Sequence, residues 1–251
     1  MKYILAANWK SHPSNADEAK KLLVGLVKNG ANFKKLHTII APPNTFLELV
    51  NSKIRSIGVL ASQDMSLLPK GTYTGETTAE MLKGLGVRVS IVGHSERRKL
   101  GETNTLVAAK VSQAIKEGIV PIVCVGEDVH DTEGGYYEVL NSQIRNSLEG
   151  LKKTDVKKLV VAYEPLWAIG KSAKDAMQPG DLGQMVVYIR KVLTEMYGRT
   201  AADQVTIIYG GSVEPGNAKE LLSSGAQGFL VGHASLNSKS FAEIAKAILN
   251  K

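Results

Sequence analysis

The chain has 251 residues, 43% of them hydrophobic, which suffices for one large α/β domain or two small ones. Its single cysteine, Cys124, excludes a disulfide framework, and no apolar run reaches the roughly 18 residues that a membrane helix needs. The formal charge of +7 lies in scattered lysine pairs without interleaved aromatic residues, which favours a solvated surface over a nucleic-acid interface.

The same features predict where the protein works. A lone cysteine suits a reducing compartment, and the apolar run YILAA near the start is too short for a signal peptide. We therefore expect a cytoplasmic protein that has neither a membrane nor a nucleic acid as its partner.

In chain order, eight short apolar runs predict β-strands at residues 3–7, 38–41, 58–61, 87–92, 120–125, 159–163, 205–209 and 228–231. Amphipathic segments between them predict helices, the first over NADEAKKLLVGLVKNG. Ser14 and Asp17 predict a capping box for that helix, and Gly30 predicts its end. Pro215 and Ser238 predict the starts of the last two helices.

Eight strands that alternate with eight helices over this length predict one closed (β/α)8 barrel. The alternative is an open, doubly wound sheet, which usually carries a glycine-rich turn after its first strand. The first turn here reads NWKSHPSN, and no low-complexity linker divides the chain. The barrel is therefore the favoured fold.

Polar residues follow most of the predicted strands. In a barrel the carboxyl ends of the strands meet at one mouth, where active sites lie. The residues that should meet there are Asn8, Lys10, Gln63, His94, Glu127 and Glu164, together with the glycine-containing turns YGGS and LVGH after the last two strands. A lysine, a histidine and a glutamate on one rim indicate a catalytic group of residues.

Each of these side chains has a chemical and a structural interpretation. Glu164 is a candidate general base, or else a surface glutamate paired with a lysine. His94 precedes Ser95, and a helix starting at Ser95 should lower the histidine pKa and keep the ring neutral. A buried histidine satisfied by backbone groups is the alternative. Lys10 can neutralise an anion or form the Schiff base of an aldolase.

The turns YGGS and LVGH match the position at which barrel enzymes bind phosphate through backbone N–H groups. A base, an electrophile and a phosphate site together point to a small phosphorylated carbonyl compound. The expected reaction is abstraction of a proton next to the carbonyl group, through an enediolate.

Several motifs carry a resemblance to a known family. ANWKS (7–11), TGE (74–76), GHSERR (93–98), CVGE (124–127), AYEPLWAIG (162–170), YGGSV (209–213) and VGHASL (231–236) occur in this order from the first strand to the last helix. In these motifs the sequence resembles the triosephosphate isomerase family. The resemblance implies a single (β/α)8 TIM barrel over residues 1–251 and the interconversion of dihydroxyacetone phosphate and glyceraldehyde 3-phosphate, a step of glycolysis and gluconeogenesis.

The resemblance also implies roles for the matching residues. Glu164 shuttles the proton, His94 polarises the carbonyl group as a neutral acid, and Lys10 with Asn8 stabilises the enediolate oxygens and the phosphate. Ser95 and Glu96 support these groups from behind. Backbone N–H groups hold the phosphate, and the residues that supply them are Gly170, Ser212, Gly232 and His233.

Further implications concern assembly and motion. The family needs no metal or organic cofactor, and the loop GTYTGE implies a homodimer in which Thr74 approaches Asn8, Lys10 and His94 of the neighbouring subunit. From the residues alone, a polar surface loop is the alternative, and the sequence does not distinguish a dimer from a tetramer. Pro165, Leu166 and Trp167 match the near hinge of a lid that closes over the base.

Four positions depart from the family pattern. The lid reads AIGKSAK and lacks a second glycine, which leaves its far hinge open among Ser172, Ala173, Lys174 and Asp175. His233 stands where a second glycine is common, and we expect only its N–H to bind phosphate. The turn RRKLGE is one residue short, so Glu102 has no assigned role. Gln227 replaces an aspartate and should pair only weakly with Arg190.

Overall fold

The structure is a computed structural model that describes residues 2–170 and 177–250. Eight parallel strands form a closed barrel in which each strand pairs with the next and β8 pairs with β1. The strands are β1 (Ile4–Asn8), β2 (His37–Ala41), β3 (Val59–Ser62), β4 (Val89–Val92), β5 (Val120–Val125), β6 (Val160–Tyr163), β7 (Thr206–Tyr209) and β8 (Gly228–Val231). The predicted barrel is confirmed, and every predicted strand overlaps an observed one.

Two apolar layers explain why the strands read as continuous apolar runs. One set of alternating strand residues fills the barrel interior, with Ile4, Ala6 and Ile91 among its members. The other set faces outward and packs against the helices, with Leu5 and Val92 among its members. Because both faces are covered, the strands are mostly apolar, and none of the eight contains Asp, Glu, Lys or Arg.

Helices lie between successive strands and after the last one. They are α1 (Ala16–Lys28), α2 (Gly30–Phe33), α3 (Leu47–Ile54), α4 (Ala79–Gly84), α5 (Ser95–Lys99), α6 (Asn104–Glu117), α7 (Gly135–Ser147), α8 (Pro179–Tyr197), α9 (Arg199–Ala202), α10 (Ala218–Leu221) and α11 (Ser238–Leu249). The short helices α2 and α9 come in addition to the eight predicted ones, and β4 is followed by two helices, of which α5 begins at Ser95. No helix within the described ranges has the length and apolar character to cross a bilayer.

The ends of two helices differ from the prediction. Helix α1 is capped by Asn15, whose side chain accepts from Asp17 N and Glu18 N, so the predicted capping box at Ser14 is wrong by one residue. Ser14 instead donates to the Glu18 carboxylate at 3.0 Å. Gly30 does not end α1, because the helix stops at Lys28 and Gly30 opens α2.

For the last two helices, the predicted first residue is correct in one and wrong in the other. Helix α11 begins at Ser238 as predicted, with the Asn237 side chain accepting from Lys239 N and Ser240 N. Helix α10 begins at Ala218, three residues after the predicted Pro215. The Asn217 side chain binds Glu214 N at 2.8 Å and Ser212 O at 3.2 Å, which fixes a turn where the helix was expected.

Candidate active site

A cavity of about 410 Å³ lies at the carboxyl ends of the strands. It is lined by all eight residues predicted to react with or bind the substrate, namely Asn8, Lys10, His94, Glu164, Gly170, Ser212, Gly232 and His233. The barrel therefore brings together side chains that are up to 225 positions apart in the chain, from Asn8 to His233.

Glu164 is the most buried acid of the cavity, with only 2% of its surface exposed. It follows β6, and its backbone N–H donates to Val125 O at 2.7 Å, which continues the sheet pairing past the end of the strand. Its carboxylate lies 3.1 Å from His94 Nε2 and accepts a 3.3 Å hydrogen bond from Ser95 N–H. The carboxylate of the candidate base is thus held by His94 and Ser95, which lie across the cavity from β6.

Two glycines make room for this carboxylate. A β-carbon on Gly210 would lie 2.6 Å from Glu164 Cγ, and one on Gly126 would lie 1.9 Å from the Glu164 carbonyl oxygen. Both distances are far below van der Waals contact. The strand ends on either side of Glu164 therefore require glycine.

His94 connects β4 to α5 and caps that helix with its ring. Its Nδ1 accepts from Glu96 N–H at 3.2 Å, so in this geometry the proton sits on Nε2, which faces Glu164. Burial lowers the pKa of His94, but the charge and hydrogen bond of Glu164 outweigh burial, with a smaller contribution from Glu96. The net shift is upward. The prediction of a lowered pKa is wrong here because Glu164 contacts the ring.

Lys10 adopts a left-handed backbone conformation, with φ of 52°. A side chain at such a φ costs roughly 1–2 kcal/mol, so other contacts must hold the residue. Its N–H donates to Asn8 Oδ1 at 3.0 Å, and its carbonyl accepts from Gln63 Nε2 at 2.8 Å. Its Nζ binds Glu96 Oε1 at 2.7 Å.

Glu96 contacts both Lys10 and His94. Burial raises the pKa of Glu96, but the hydrogen bond and charge of Lys10 outweigh burial and lower it overall. Glu96 therefore remains a carboxylate that holds the lysine head group at the cavity wall.

The far end of the cavity consists of backbone-rich turns. Ser212 Oγ donates to Ala168 O at 2.9 Å, which ties the turn after β7 to the segment after Glu164. Gly232 and His233 open a short helical turn, and the Gly232 carbonyl accepts from Ser235 N–H at 3.0 Å. His233 is exposed and has no positive φ, so its side chain imposes no strain at this position.

Two predicted features lie outside the cavity. Thr74 is exposed in the loop before α4 and does not line the cavity of its own chain. The altered lid sequence from Lys171 onward, with the candidate far hinge at Ser172–Asp175, lies outside the described residues. Gly170 is the last described residue before that segment, and it lines the cavity.

Glu102 and Lys110 form a buried cluster that the sequence reasoning missed. Glu102 Oε2 accepts from Gly93 N–H at 3.1 Å, directly before His94, and Oε1 binds Lys110 Nζ at 2.5 Å. Lys110 also binds Asp64 at 2.5 Å. A signal was present, because Lys110 lies on the buried side of α6 with Val107, Val111 and Ala114.

Glu127 binds residues before and after Glu164 in the chain. Its Oε1 accepts from Tyr163 Oη and from Trp167 Nε1, each at 2.8 Å, and lies 3.3 Å from His130 Nδ1. Burial and the Glu127 charge raise the pKa of Tyr163 far above its usual value, so the phenol always donates. The carboxylate after β5 therefore fixes the segment that carries the base candidate.

Neither Cys124 nor Arg190 lines the cavity. Burial raises the pKa of the Cys124 thiol well above its usual value, and Glu164 raises it further, which excludes a reactive thiolate. Arg190 Nη2 reaches Gln227 Oε1 only at 3.5 Å and instead donates through Nη1 to Val205 O at 2.7 Å. The expected weak pairing is confirmed.

Comparison with known proteins agrees with this geometry. The family model described as triosephosphate isomerase matches residues 3–248. The chain is 42% identical over 251 residues to a triosephosphate isomerase of Thermoanaerobacter sp. (strain X514), covering 96% of this chain and 97% of that protein. It is 43% identical over 247 residues to that of Moorella thermoacetica, with 96% of both covered. It is 41% identical over 248 residues to that of Symbiobacterium thermophilum, covering 97% of this chain and 96% of that protein.

Proposed function

The chain belongs to the triosephosphate isomerase family, and we propose that it carries out the isomerisation with four side chains of this cavity, Glu164, His94, Lys10 and Asn8. The reaction interconverts dihydroxyacetone phosphate and glyceraldehyde 3-phosphate. It moves one proton between two adjacent carbons and requires a base, an acid and a way to hold the phosphate. The whole chain, residues 1–251, acts as one catalytic domain in this proposal.

The first step is transfer of a carbon-bound proton to the Glu164 carboxylate. Electrons of the broken C–H bond form the C=C bond of an enediolate, and negative charge moves to the carbonyl oxygen. His94 Nε2–H donates a hydrogen bond to that oxygen, which spreads the developing charge. Glu164 then returns the proton to the neighbouring carbon. His94 gives its Nε2 proton to the former carbonyl oxygen and takes up the proton of the other hydroxyl group, so that the hydroxyl and carbonyl positions are exchanged and both side chains regain their starting protonation.

The contact between His94 and Glu164 is the single observation that carries this proposal. The 3.1 Å distance places the base and the acid on facing walls, and both side chains are buried. A substrate carbon and its oxygen, inserted between them, meet the carboxylate on one side and the ring N–H on the other. Substrate therefore replaces a contact that the free protein makes with itself.

Lys10 and Asn8 supply positive charge and polarity beside the reacting oxygens. Lys10 is held by Glu96 and by a backbone that Gln63 and Asn8 brace, which supports a preorganised role. At the other end, backbone N–H groups of Gly170, Ser212, Gly232 and His233 bind the phosphate. The His233 side chain remains outside, and its exposure supports this placement.

A coupled assay with glyceraldehyde 3-phosphate tests the proposal. General-base catalysis typically contributes about 10²- to 10⁴-fold, so Glu164→Gln should lower kcat by about 10³-fold. Borohydride added with substrate should give no adduct on Lys10. A trapped imine on Lys10 with unchanged turnover of Glu164→Gln would instead indicate an aldolase.

A homodimer completes the proposal. A cleft of about 670 Å³, which includes Asn44, Asp64 and Arg97 in its lining, opens beside Lys10 and His94. Thr74 lies on an exposed loop of the same chain and is free to enter the matching cleft of a second copy. Light scattering should give twice the 27.0 kDa mass of one chain, and a 27.0 kDa particle would contradict the dimer.

We also propose the cytoplasm as the location of the protein, which Cys124 as a buried free thiol supports.

A further inference from the structure

The net charge of the chain is concentrated at one end of the barrel. We define the basic face as the segments that run from the end of a helix to the start of the next strand, together with residues 2–3. These segments are 29–36, 55–58, 85–88, 118–119, 148–159, 198–205 and 222–227. All of them lie at the amino ends of the strands, opposite the catalytic cavity.

The net charge of this face differs from that of the rest of the molecule. The basic face holds ten basic and three acidic residues, a net charge of +7, which equals the formal charge of the whole chain. Because the chain has 31 basic and 24 acidic residues, 21 of each remain elsewhere and cancel. The basic residues of the face are Lys2, Lys34, Lys35, Arg55, Arg88, Lys152, Lys153, Lys157, Lys158 and Arg199, and all are exposed.

Ion pairs within the chain do not neutralise the positive charge of this face. Within the described ranges only Lys158 and Arg199 of the face make ion pairs, with Asp155 at 2.5 Å and Asp203 at 3.7 Å. Favourable interaction with helix dipoles does not account for this charge either, because other basic residues, inside the last helical turns, already interact with the carboxyl ends of the helices. Those residues are Lys28, Lys53, Lys83, Lys116, Arg145 and Lys246.

An apolar groove opens at the edge of the basic face. It lies between α1 and α3, encloses about 530 Å³, and has Leu23 and Leu49 in its lining with Val24 and Val27 exposed by 69% and 44%. Lysines flank it, and two of them, Lys28 and Lys53, lie within two residues of the basic face. Positive charge and exposed apolar side chains thus occur next to each other.

The sequence predicted no membrane partner, but the clustering of charge on this face points the other way, and we propose that the basic face and this groove dock on an anionic lipid bilayer. Lysine head groups attract acidic phospholipids, and Val24 and Val27 enter the interfacial region. The face suits a bilayer better than nucleic acid, since none of its aromatic residues is exposed to stack on bases. Its segments are turns and short helices, so no long helix is available for a groove. The catalytic cavity would point away from the membrane.

Vesicle co-sedimentation tests this inference independently of the catalytic residues. The probe is vesicles of phosphatidylcholine with about 30% phosphatidylglycerol, compared with pure phosphatidylcholine. The face variant replaces four lysines by glutamine, Lys34, Lys35, Lys152 and Lys153. The control variant removes the same charge from helices outside the face, at Lys21, Lys191, Lys219 and Lys239.

The expected result is binding to the anionic vesicles alone, weakened at least about tenfold in the face variant and less than about twofold in the control. Salt should release the protein. Val24→Ser with Val27→Ser should weaken binding further at constant charge. Equal binding by face and control variants, or binding of wild type to duplex DNA but not to vesicles, would overturn the proposal. Unchanged isomerase activity verifies that each variant is folded.

Discussion

The two ends of the barrel treat charge in opposite ways. At the catalytic mouth Glu164, His94 and Glu102 are buried, and each has a specific partner at 3.3 Å or less. At the basic face the basic side chains are exposed, and most have no ion-pair partner in the described part of the chain. The same fold thus supports a desolvated, matched set of charges and a solvated, unmatched one.

This difference teaches how each end should respond to mutation. A buried charge interacts strongly with one neighbour, and its loss leaves that neighbour unpaired. An exposed charge contributes little alone and acts through the sum of many. Single substitutions should therefore have large effects at the mouth and small ones at the basic face.

After Glu164→Gln, the largest effect is expected for His94→Asn. Removing one preorganised donor at a developing oxyanion typically costs about 10²- to 10³-fold in kcat, and His94 is the donor nearest to the base. His37→Asn is the matched control, because His37 is exposed at the start of β2 near the basic face. Steady-state kinetics should show this fall in kcat for His94→Asn and an unchanged kcat for His37→Asn. Equal kinetics in both variants would remove His94 from the mechanism.

Lys110→Met should have the next largest effect, on stability. The substitution leaves Glu102 as a buried carboxylate without its cation, which typically costs about 3–5 kcal/mol, whereas the half-buried Asp64 keeps Arg97 as a partner at 2.9 Å. Arg88→Met removes an exposed basic residue of the face and should change the free energy of unfolding by less than about 0.5 kcal/mol. Urea unfolding measures both. A similar small loss in the two variants would show that the buried cluster is not stabilising.

A smaller change is expected for Gly210→Ala. The added methyl group would lie 2.6 Å from Glu164 Cγ, so the carboxylate must shift and kcat should fall about tenfold or more, since a shift of this kind misaligns the base. Gly84→Ala has open space around its β-carbon and serves as the control at the other end of the barrel. Unaltered kcat in Gly210→Ala would show that the position of Glu164 is not critical.

The smallest effect concerns the protonation of His94. Its pKa is raised in the free protein because Glu164 touches the ring, whereas burial acts in the opposite direction. A phosphorylated substrate analogue that separates the two side chains should lower the pKa of His94 and release a proton, so analogue binding should strengthen as pH rises through that pKa. NMR titration of the ring nitrogens follows this directly. A pKa that rises on binding would contradict the proposed placement.

Sequence reasoning reached most of the site because polar residues at strand ends contrast with apolar strands. Asn8, Lys10, His94 and Glu164 were found in this way, and the barrel places all four on one cavity. The reasoning failed where a result depends on contacts distant in sequence. The pKa direction of His94 required the contact with Glu164, and the role of Glu102 required its distance to Gly93. The predicted helix start at Ser14 was wrong because the Asn15 side chain accepts from the backbone N–H groups of Asp17 and Glu18. The predicted start at Pro215 was wrong because the Asn217 side chain binds Glu214 N and Ser212 O and holds a turn there.

Exchange of hydrogen with solvent tests the role of Glu164 most directly. With dihydroxyacetone phosphate in D₂O, the wild type should place deuterium on the carbon that receives the shuttled proton, because Glu164 exchanges its proton with solvent. In Glu164→Gln, deuterium incorporation and isomerisation should fall together, by about 10³-fold. If the variant still incorporates deuterium at the wild-type rate, or if the wild type isomerises without incorporating any, then a proton carried by Glu164 is not the basis of this reaction.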